Sequence, residues 1–154
     1  MEITDLITPR NVLAQLRAAN KKQALQELAK RAAAMTGIEE RRIYDVMIER
    51  ERLGTTGIGA GIGIPHGKVP GLVKLCGIFA RLERPIPFES IDDQPVDLIF
   101  ALLAPEAAGA DHLKALALVS RLLRDRTVCE KLRGTESADA LYALLTDYKA
   151  TQGA

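Results

Sequence analysis

The chain has 154 residues, of which 47% are hydrophobic and 27% charged, and this composition suits one globular domain with its own core. Lys and Arg number 21 against 20 Asp and Glu, with no basic run interleaved with aromatic residues, so we do not expect nucleic acid as a partner. The N-terminus shows no basic segment followed by an apolar one, and no apolar run long enough to span a bilayer occurs, so we expect neither secretion nor direct membrane insertion.

The two cysteines, Cys76 and Cys129, lie far apart and form no CxxC pair. Cys76 falls in an apolar run and Cys129 in a helical pattern, where small apolar side chains serve as core. Free core cysteines are typical of a reducing compartment, so we predict a cytoplasmic protein.

Two helices are predicted first. Beyond Asn20, which suits an N-cap, apolar residues recur at helical spacing as far as Gly37, which suits a helix end. A second helix is predicted from about Glu39 to Leu53, and Arg50 falls in or near its last turn.

A glycine-rich stretch follows, with six glycines among the fifteen residues 54–68. So many glycines give the backbone too much freedom for a helix and are unusual in a regular strand. We therefore predict a loop that leads into a short strand around Ile62–Ile64 and turns at Pro65.

The remaining elements are two strands and three helices. Apolar runs at Val73–Leu82 and Val96–Leu103 predict buried strands, and apolar spacings predict helices at Asp111–Arg124, at Thr127–Leu132 and from Ser137, with a polar tail after Tyr148. The strands alternate little between polar and apolar residues, as in a sheet covered on both faces. We therefore predict an α/β fold, a single-domain three-layer sandwich with a mixed sheet between helices, over residues 1–154 with its core at about 6–148.

His66 is one of two histidines and stands in the segment Ile-Pro-His-Gly-Lys. Pro65 holds the residue before it extended, and Gly67 leaves the ring uncrowded, so the imidazole would be rigidly presented and approachable. A histidine side chain has a pKa of ~6.5, so at neutral pH most of its imidazole population is neutral, and one ring nitrogen is then a free nucleophile. This chemistry suits attack on phosphorus.

Three further features could hold phosphoryl oxygens near His66. The glycines of the stretch (Gly57, Gly59, Gly61 and Gly67) could turn backbone N–H groups toward one point, as in an anion-binding nest. Arg50 could add a charged, bidentate clamp. His112, near the start of a predicted helix, could donate a hydrogen bond from a position where the helix also favours anions.

A structural interpretation competes with this one. A lone histidine beside an apolar strand is more often a satisfied structural residue, and an arginine at a helix end is usually solvated or paired. Glycine-rich loops also serve close backbone packing, and His112 could simply belong to a helix start.

Other motifs do not match. Gly63 and Gly67 are too close together for a Walker loop, and Val69 stands where that motif needs Ser or Thr. The pairs of glycines lack the third glycine of a dinucleotide fingerprint, and no HExxH, Cys/His quartet or Gly-x-Ser-x-Gly is present. We therefore expect no nucleotide or other cofactor and no metal.

The segment RERLGTTGIGAGIGIPHGK (residues 50–68) resembles the active-site segment of the mannitol/fructose-type IIA domains of the phosphotransferase system. The resemblance continues through PIPF (85–88), DDQPVDLIFALLAP (92–105) and DHLKAL (111–116), and so covers most of the chain. It implies a mixed sheet flanked by helices. It also implies that His66 accepts phosphate from a histidine phosphocarrier protein, itself charged by an enzyme I from phosphoenolpyruvate, with Arg50 and His112 beside the phosphoryl group.

The segment Gly-Thr-Thr-Gly-Ile-Gly resembles the nitrogen-regulatory branch of this family more than its sugar-transport branch, and we expect no attached IIB or membrane domain. We therefore expect a phosphoryl carrier that regulates partner proteins according to its phosphorylation state. Two alternatives stay open. One is a sugar-specific IIA component that passes phosphate to a IIB domain, and the other is a regulatory binding module that is not phosphorylated.

Overall fold

In the computed structural model, which describes residues 1–148, six strands form one mixed sheet between two layers of helices. The strands are β1 (Val12–Leu16), β2 (Gly57–Gly59), β3 (Ile62–Gly63), β4 (His66–Val69), β5 (Cys76–Ile86) and β6 (Val96–Pro105). The helices are α1 (Lys21–Thr36), α2 (Glu40–Arg52), α3 (Ala110–Arg124), α4 (Arg126–Arg133) and α5 (Ala138–Asp147). The polar tail expected after Tyr148 lies outside the described residues.

The long strands β5 and β6 form the antiparallel centre of the sheet. β1 pairs in parallel with β5, while β3 and then β4 run parallel to β6 along its other edge, and β2 turns back antiparallel on β3. The strand order is therefore β1-β5-β6-β3-β2, with β4 continuing the β3 line beside β6.

The core lies on both faces of this sheet. Alternate residues of β6 point to opposite faces: Leu98, Phe100 and Leu102 pack with α3, α4 and α5, whereas Ile99, Ala101 and Leu103 pack with α1 and α2. Because both faces are covered, β6 is a continuous apolar run from Leu98 onward, without polar alternation. The predicted α/β three-layer arrangement is confirmed.

The helix ends follow local chemistry. The Asn20 side chain accepts a hydrogen bond from the Gln23 N–H at 2.9 Å, and Gly37 ends α1 with a φ of 76°. Ser137 caps α5 in the same way as Asn20 caps α1. Among the described residues, none of the helices has both the length and the apolar character needed to span a bilayer.

Three sequence predictions need correction. The strand expected from Val73 begins instead at Cys76, since Val73 lies in a turn region and is 88% exposed, and it runs on to Ile86. Pro85 fits there because the β5–β6 register shifts between Arg81 and Ile86. The glycine-rich stretch contains three short strands instead of one, and the segment before Asn20 holds β1 and two 3-10 turns (Ile3–Asp5 and Pro9–Asn11) that had no assignment.

Candidate functional site

His66 is the first residue of β4, at an edge where the chain resumes pairing after Pro65. The Leu102 N–H donates to the Pro65 carbonyl at 2.9 Å, and His66 is paired with Leu102 in the parallel β4–β6 ladder. The half-buried ring is thus held by backbone on both sides of its Cα.

The hydrogen bonds of His66 define its tautomer. Ring atom Nδ1 lies 2.8 Å from the Ile64 carbonyl oxygen, and because that oxygen only accepts, Nδ1 carries the proton. Nε2 therefore presents a lone pair, to which Arg50 Nε donates at 3.3 Å. Arg50 is anchored in turn by a 2.8 Å bond from Nη1 to the Gly54 carbonyl.

The surroundings of His66 favour its neutral form. Burial lowers the pKa of His66 below the ordinary value of 6.5, and the positive charge of Arg50 lowers it further. The hydrogen bond to Ile64 and the negative charge of Glu51 act in the opposite direction without reversing the shift. The site therefore holds an uncharged imidazole whose free nitrogen is a nucleophile near neutral pH.

His112 faces His66 from the first turn of α3, with 5.8 Å between the two ring centroids. Its side chain is about 9% exposed, and within the described part of the chain its Nδ1 is buried without a hydrogen-bond partner. Burial and then the proximity of His66 and Lys68 lower the pKa of His112, so this ring is neutral too. A negative charge arriving between the rings would meet two imidazoles and the positive end of a helix.

Gly67 brings α2 against β4. A Cβ built on Gly67 would lie less than 3.0 Å from Val46 Cγ1, so only glycine allows this approach. Val46 and Arg50 are one helical turn apart and share a face of α2. The contact at Gly67 therefore sets the distance between the helix that carries Arg50 and the strand that carries His66.

The other glycines predicted to bind phosphoryl oxygens form the β2–β3 hairpin. Gly59 and Gly61 adopt positive φ values of 102° and 83° and face Asp92 and Arg133, respectively. Ile62 pairs with Leu98, four residues before the partner of His66, so the hairpin turn lies roughly 13 Å or more from His66 along the sheet. The structure brings Arg50, His112 and Gly67 to His66, but not Gly59 or Gly61.

Gly57, at the base of the hairpin, is constrained by packing. A Cβ built there would lie 2.5 Å from Ser90 Oγ and 3.1 Å from Phe88 Cδ2, and the Gly57 N–H donates to Thr55 Oγ1 at 3.0 Å. Gly57 thus positions the loop between α2 and β2, and its N–H is already used within that loop.

The sequence did not predict the buried ion pair between Lys21 and Glu51, which lies next to Arg50. The Glu51 side chain is 4% exposed, and its carboxylate accepts hydrogen bonds from Lys21 Nζ at 2.9 Å, from the Thr56 N–H at 3.0 Å and from the Thr56 hydroxyl. Lys21 is 12% exposed and lies 4.7 Å above the Phe88 ring. The only sequence signal was a glutamate flanked by two arginines inside the active-site segment.

Metal ligands do not gather anywhere in residues 1–148: no group of three His, Cys, Asp or Glu side chains could hold an ion. The groups that the structure places at His66 are its own imidazole, the guanidinium of Arg50 and the imidazole of His112.

Comparison with known families identifies the family of this chain. Residues 5–148 match the family described as "Phosphoenolpyruvate-dependent sugar phosphotransferase system, EIIA 2". The chain belongs to this family. It is thus a IIA-type component of a phosphotransferase system, as the resemblance of residues 50–68 predicted.

Relatives of this IIA chain support the nitrogen-regulatory branch (PtsN-like proteins). A nitrogen regulatory protein from Bradyrhizobium diazoefficiens is 58% identical over 98% of this chain and 99% of its own length. The crystal structure of the nitrogen regulatory protein IIA-Ntr from Neisseria meningitidis superimposes with a TM-score of 0.88 and 30% identity, over 94% of this chain and 99% of the other. A fructose-specific EIIA component from Haloferax volcanii is 37% identical over 96% of this chain and 98% of its own.

Proposed function

We propose that this chain is a cytoplasmic phosphoryl carrier, with residues 1–154 acting as one IIA domain, in which Nε2 of His66 accepts a phosphoryl group from a histidine phosphocarrier protein. The observation that carries the proposal is the tautomer of His66: Nδ1–H is committed to the Ile64 carbonyl, and Nε2 is the nitrogen with a lone pair. The two cysteines of the chain, Cys76 and Cys129, are free and buried, which suits the reducing environment of the cytoplasm.

In the transfer step, Nε2 attacks the phosphorus of the donor phosphohistidine. The bond from phosphorus to Nε2 forms while the bond to the donor nitrogen breaks, and the donor ring keeps that electron pair. The His66 Nδ1 proton stays in its hydrogen bond to Ile64, which stabilises the positive charge that the ring acquires. Neither ring has to lose or gain a proton in the step.

Arg50 has two roles in this step. Its Nε donates to the Nε2 lone pair in the resting site, so this bond breaks when the donor arrives. The bond from Nη1 to Gly54 keeps the guanidinium nearby, where it can turn to the equatorial phosphoryl oxygens. His112 donates a hydrogen bond to the same group, since a nearby phosphoryl charge favours its protonated form.

Phosphorylation would also change what the surface of the carrier binds. A phosphoryl group adds about −2 charge and strong acceptor oxygens. Two exposed apolar side chains follow site residues in the sequence: Leu53, at the end of α2 after Arg50, and Leu113, next to His112. We propose that regulatory proteins distinguish the two states here, in line with the nitrogen-regulatory names of the relatives.

The test is intact mass after incubation with phosphoenolpyruvate, enzyme I and a histidine phosphocarrier protein. We expect one acid-labile phosphoryl group on the wild type and none on His66→Ala. The His66→Ala result is interpreted only after the circular dichroism spectrum and the unfolding midpoint have shown that this variant is folded like the wild type. No transfer to folded wild type from a donor shown to be active on another IIA protein would favour the unphosphorylated binding module.

A sugar-specific role is the second candidate, and the likeness to a fructose-specific EIIA component favours it. The phosphorylated chain would then pass its phosphoryl group to a IIB domain. Incubating the phosphorylated chain with purified fructose-type and mannitol-type IIB domains separates the two candidates, because a purely regulatory carrier retains its phosphoryl group.

A further inference from the structure

We propose that Glu51, through the hydrogen bonds that its carboxylate accepts from Thr56, is a positioning residue for phosphoryl transfer that holds both Arg50 and His66 in their reacting geometry. This inference rests on the proposed function of His66. The hydrogen bonds of the Glu51 carboxylate go to Lys21 and Thr56 and not to the His66 ring, so Glu51 acts through the loop between α2 and β2.

One branch of the connection leads to His66. The Glu51 carboxylate accepts from both the N–H and the hydroxyl of Thr56. The Thr56 carbonyl accepts from the Ile64 N–H at 3.0 Å, and the Ile64 carbonyl accepts from His66 Nδ1 at 2.8 Å. Thr56 and Ile64 thus link the buried carboxylate of Glu51 to the proton that defines the His66 tautomer.

The other branch leads to Arg50. The carbonyl that anchors Arg50 Nη1 belongs to Gly54, the residue at which the loop begins. Thr55 and Thr56 continue this loop, and both contact the ion pair: Lys21 Nζ donates to Thr55 Oγ1 at 3.4 Å, and Glu51 holds Thr56. The Gly54 N–H also donates to the Glu51 backbone carbonyl at 3.1 Å, so Gly54 is held between the end of α2 and the two threonines that follow it.

A buried ion pair is not by itself a strong source of stability. Burying two charges costs desolvation that their attraction often only balances, and an apolar pair of similar volume can serve as well. A purely structural pair should therefore be replaceable by apolar residues without loss of activity. A positioning pair should not be, because apolar side chains cannot accept the hydrogen bonds of Thr56.

Two double variants separate these roles. Lys21→Met/Glu51→Leu removes both charges and the acceptor, whereas Lys21→Met/Glu51→Gln removes both charges but leaves an amide oxygen for the Thr56 N–H. Asp97→Asn is the matched control for a broken ion pair, since Asp97 pairs with Arg133 on the hairpin side of the sheet. All variants are compared with wild type by unfolding midpoint.

The first readout is the rate of phosphorylation by a charged histidine phosphocarrier protein. For Lys21→Met/Glu51→Leu we expect the rate at saturating donor to fall about 10- to 100-fold, with little change in KM. The reason is that Arg50 and His66 would shift by up to about 1 Å from their reacting positions. The Gln double variant should stay within about threefold of wild type, and Asp97→Asn should match wild type. A wild-type rate for the Leu double variant, or an equal fall in all three variants, would overturn the proposal.

The second readout needs no phosphoryl donor, so it tests the role of Glu51 even if His66 is not phosphorylated. The ¹⁵N shifts of the His66 ring in unphosphorylated protein report the tautomer. We expect the Nδ1–H form in wild type and in the Gln double variant, and shifts that move toward an average of the two tautomers in the Leu double variant. Unchanged ring shifts in the Leu double variant would overturn the proposal, whereas absent phosphorylation of wild type would overturn only the carrier function.

Discussion

Gly67→Ala tests the close approach of α2 to β4 that brings Arg50 to His66. The added Cβ would lie less than 3.0 Å from Val46 Cγ1, where an ordinary contact is 3.4–4 Å. Val46 is β-branched and stiff at χ1, so the helix has to move away from the strand by about 1 Å. Arg50, one turn further along α2, moves with it.

The expected effect follows from that displacement. A misplacement of about 1 Å at a reacting centre costs on the order of 100-fold in rate, and overpacking costs about 1–3 kcal/mol of stability. We therefore expect Gly67→Ala to accept phosphate about 100-fold more slowly than wild type while remaining folded. The assay is rapid-quench phosphorylation followed by intact mass, beside urea unfolding.

Val46→Ala supplies the control. It removes the clashing methyl, and the next neighbours of the added Cβ are then the Val46 carbonyl oxygen and Cβ, at 3.7 and 3.8 Å. Val46→Ala alone should keep the wild-type rate, and Val46→Ala/Gly67→Ala should recover to within a few-fold of it. A wild-type rate for Gly67→Ala, or no recovery in the double variant, would refute the packing argument.

Three further predictions concern ionisation and helix capping. Since burial and Arg50 lower the pKa of His66, its NMR titration midpoint should lie below 6.5, and Arg50→Gln should move it upward; a wild-type midpoint above 6.5 would contradict the assigned environment. Phosphorylation of His66 should raise the pKa of His112, because an opposite charge arrives beside it, and titration of His112 before and after phosphorylation measures this shift. Asn20→Ala should lower the free energy of unfolding by about 1 kcal/mol in urea, and a change in the phosphorylation rate as well would mean that α1 affects the site more directly than its cap implies.

The helices and the long strands were predictable because their patterns are local. Apolar residues at helical spacing located α1 and α3 within a residue or two, and the apolar run that follows Asp97 in β6 indicated a sheet covered on both faces. β1 has only five residues and borders a single strand, so its pattern was too short to detect. Glycines carry no side-chain pattern, and this concealed β2.

The site was predictable in part. The type of residue at His66 and its flanking proline and glycine indicated the chemistry, while the bond from Arg50 to His66 joins residues 16 positions apart and required the fold. The roles of Gly59 and Gly61 depend on where the hairpin lies along β6, which the sequence does not reveal. Glu51 was missed because its partner Lys21 lies 30 residues earlier, on another helix.

The central claim is that His66 carries phosphate on Nε2. The most direct measurement is a long-range ¹H–¹⁵N correlation spectrum of the ¹⁵N-labelled protein, recorded before and after phosphorylation by the charged phosphocarrier. We expect the Nε2 resonance of His66 to shift to the position of a phosphorylated nitrogen while Nδ1 keeps its proton. Phosphate on Nδ1, or on His112, would contradict it.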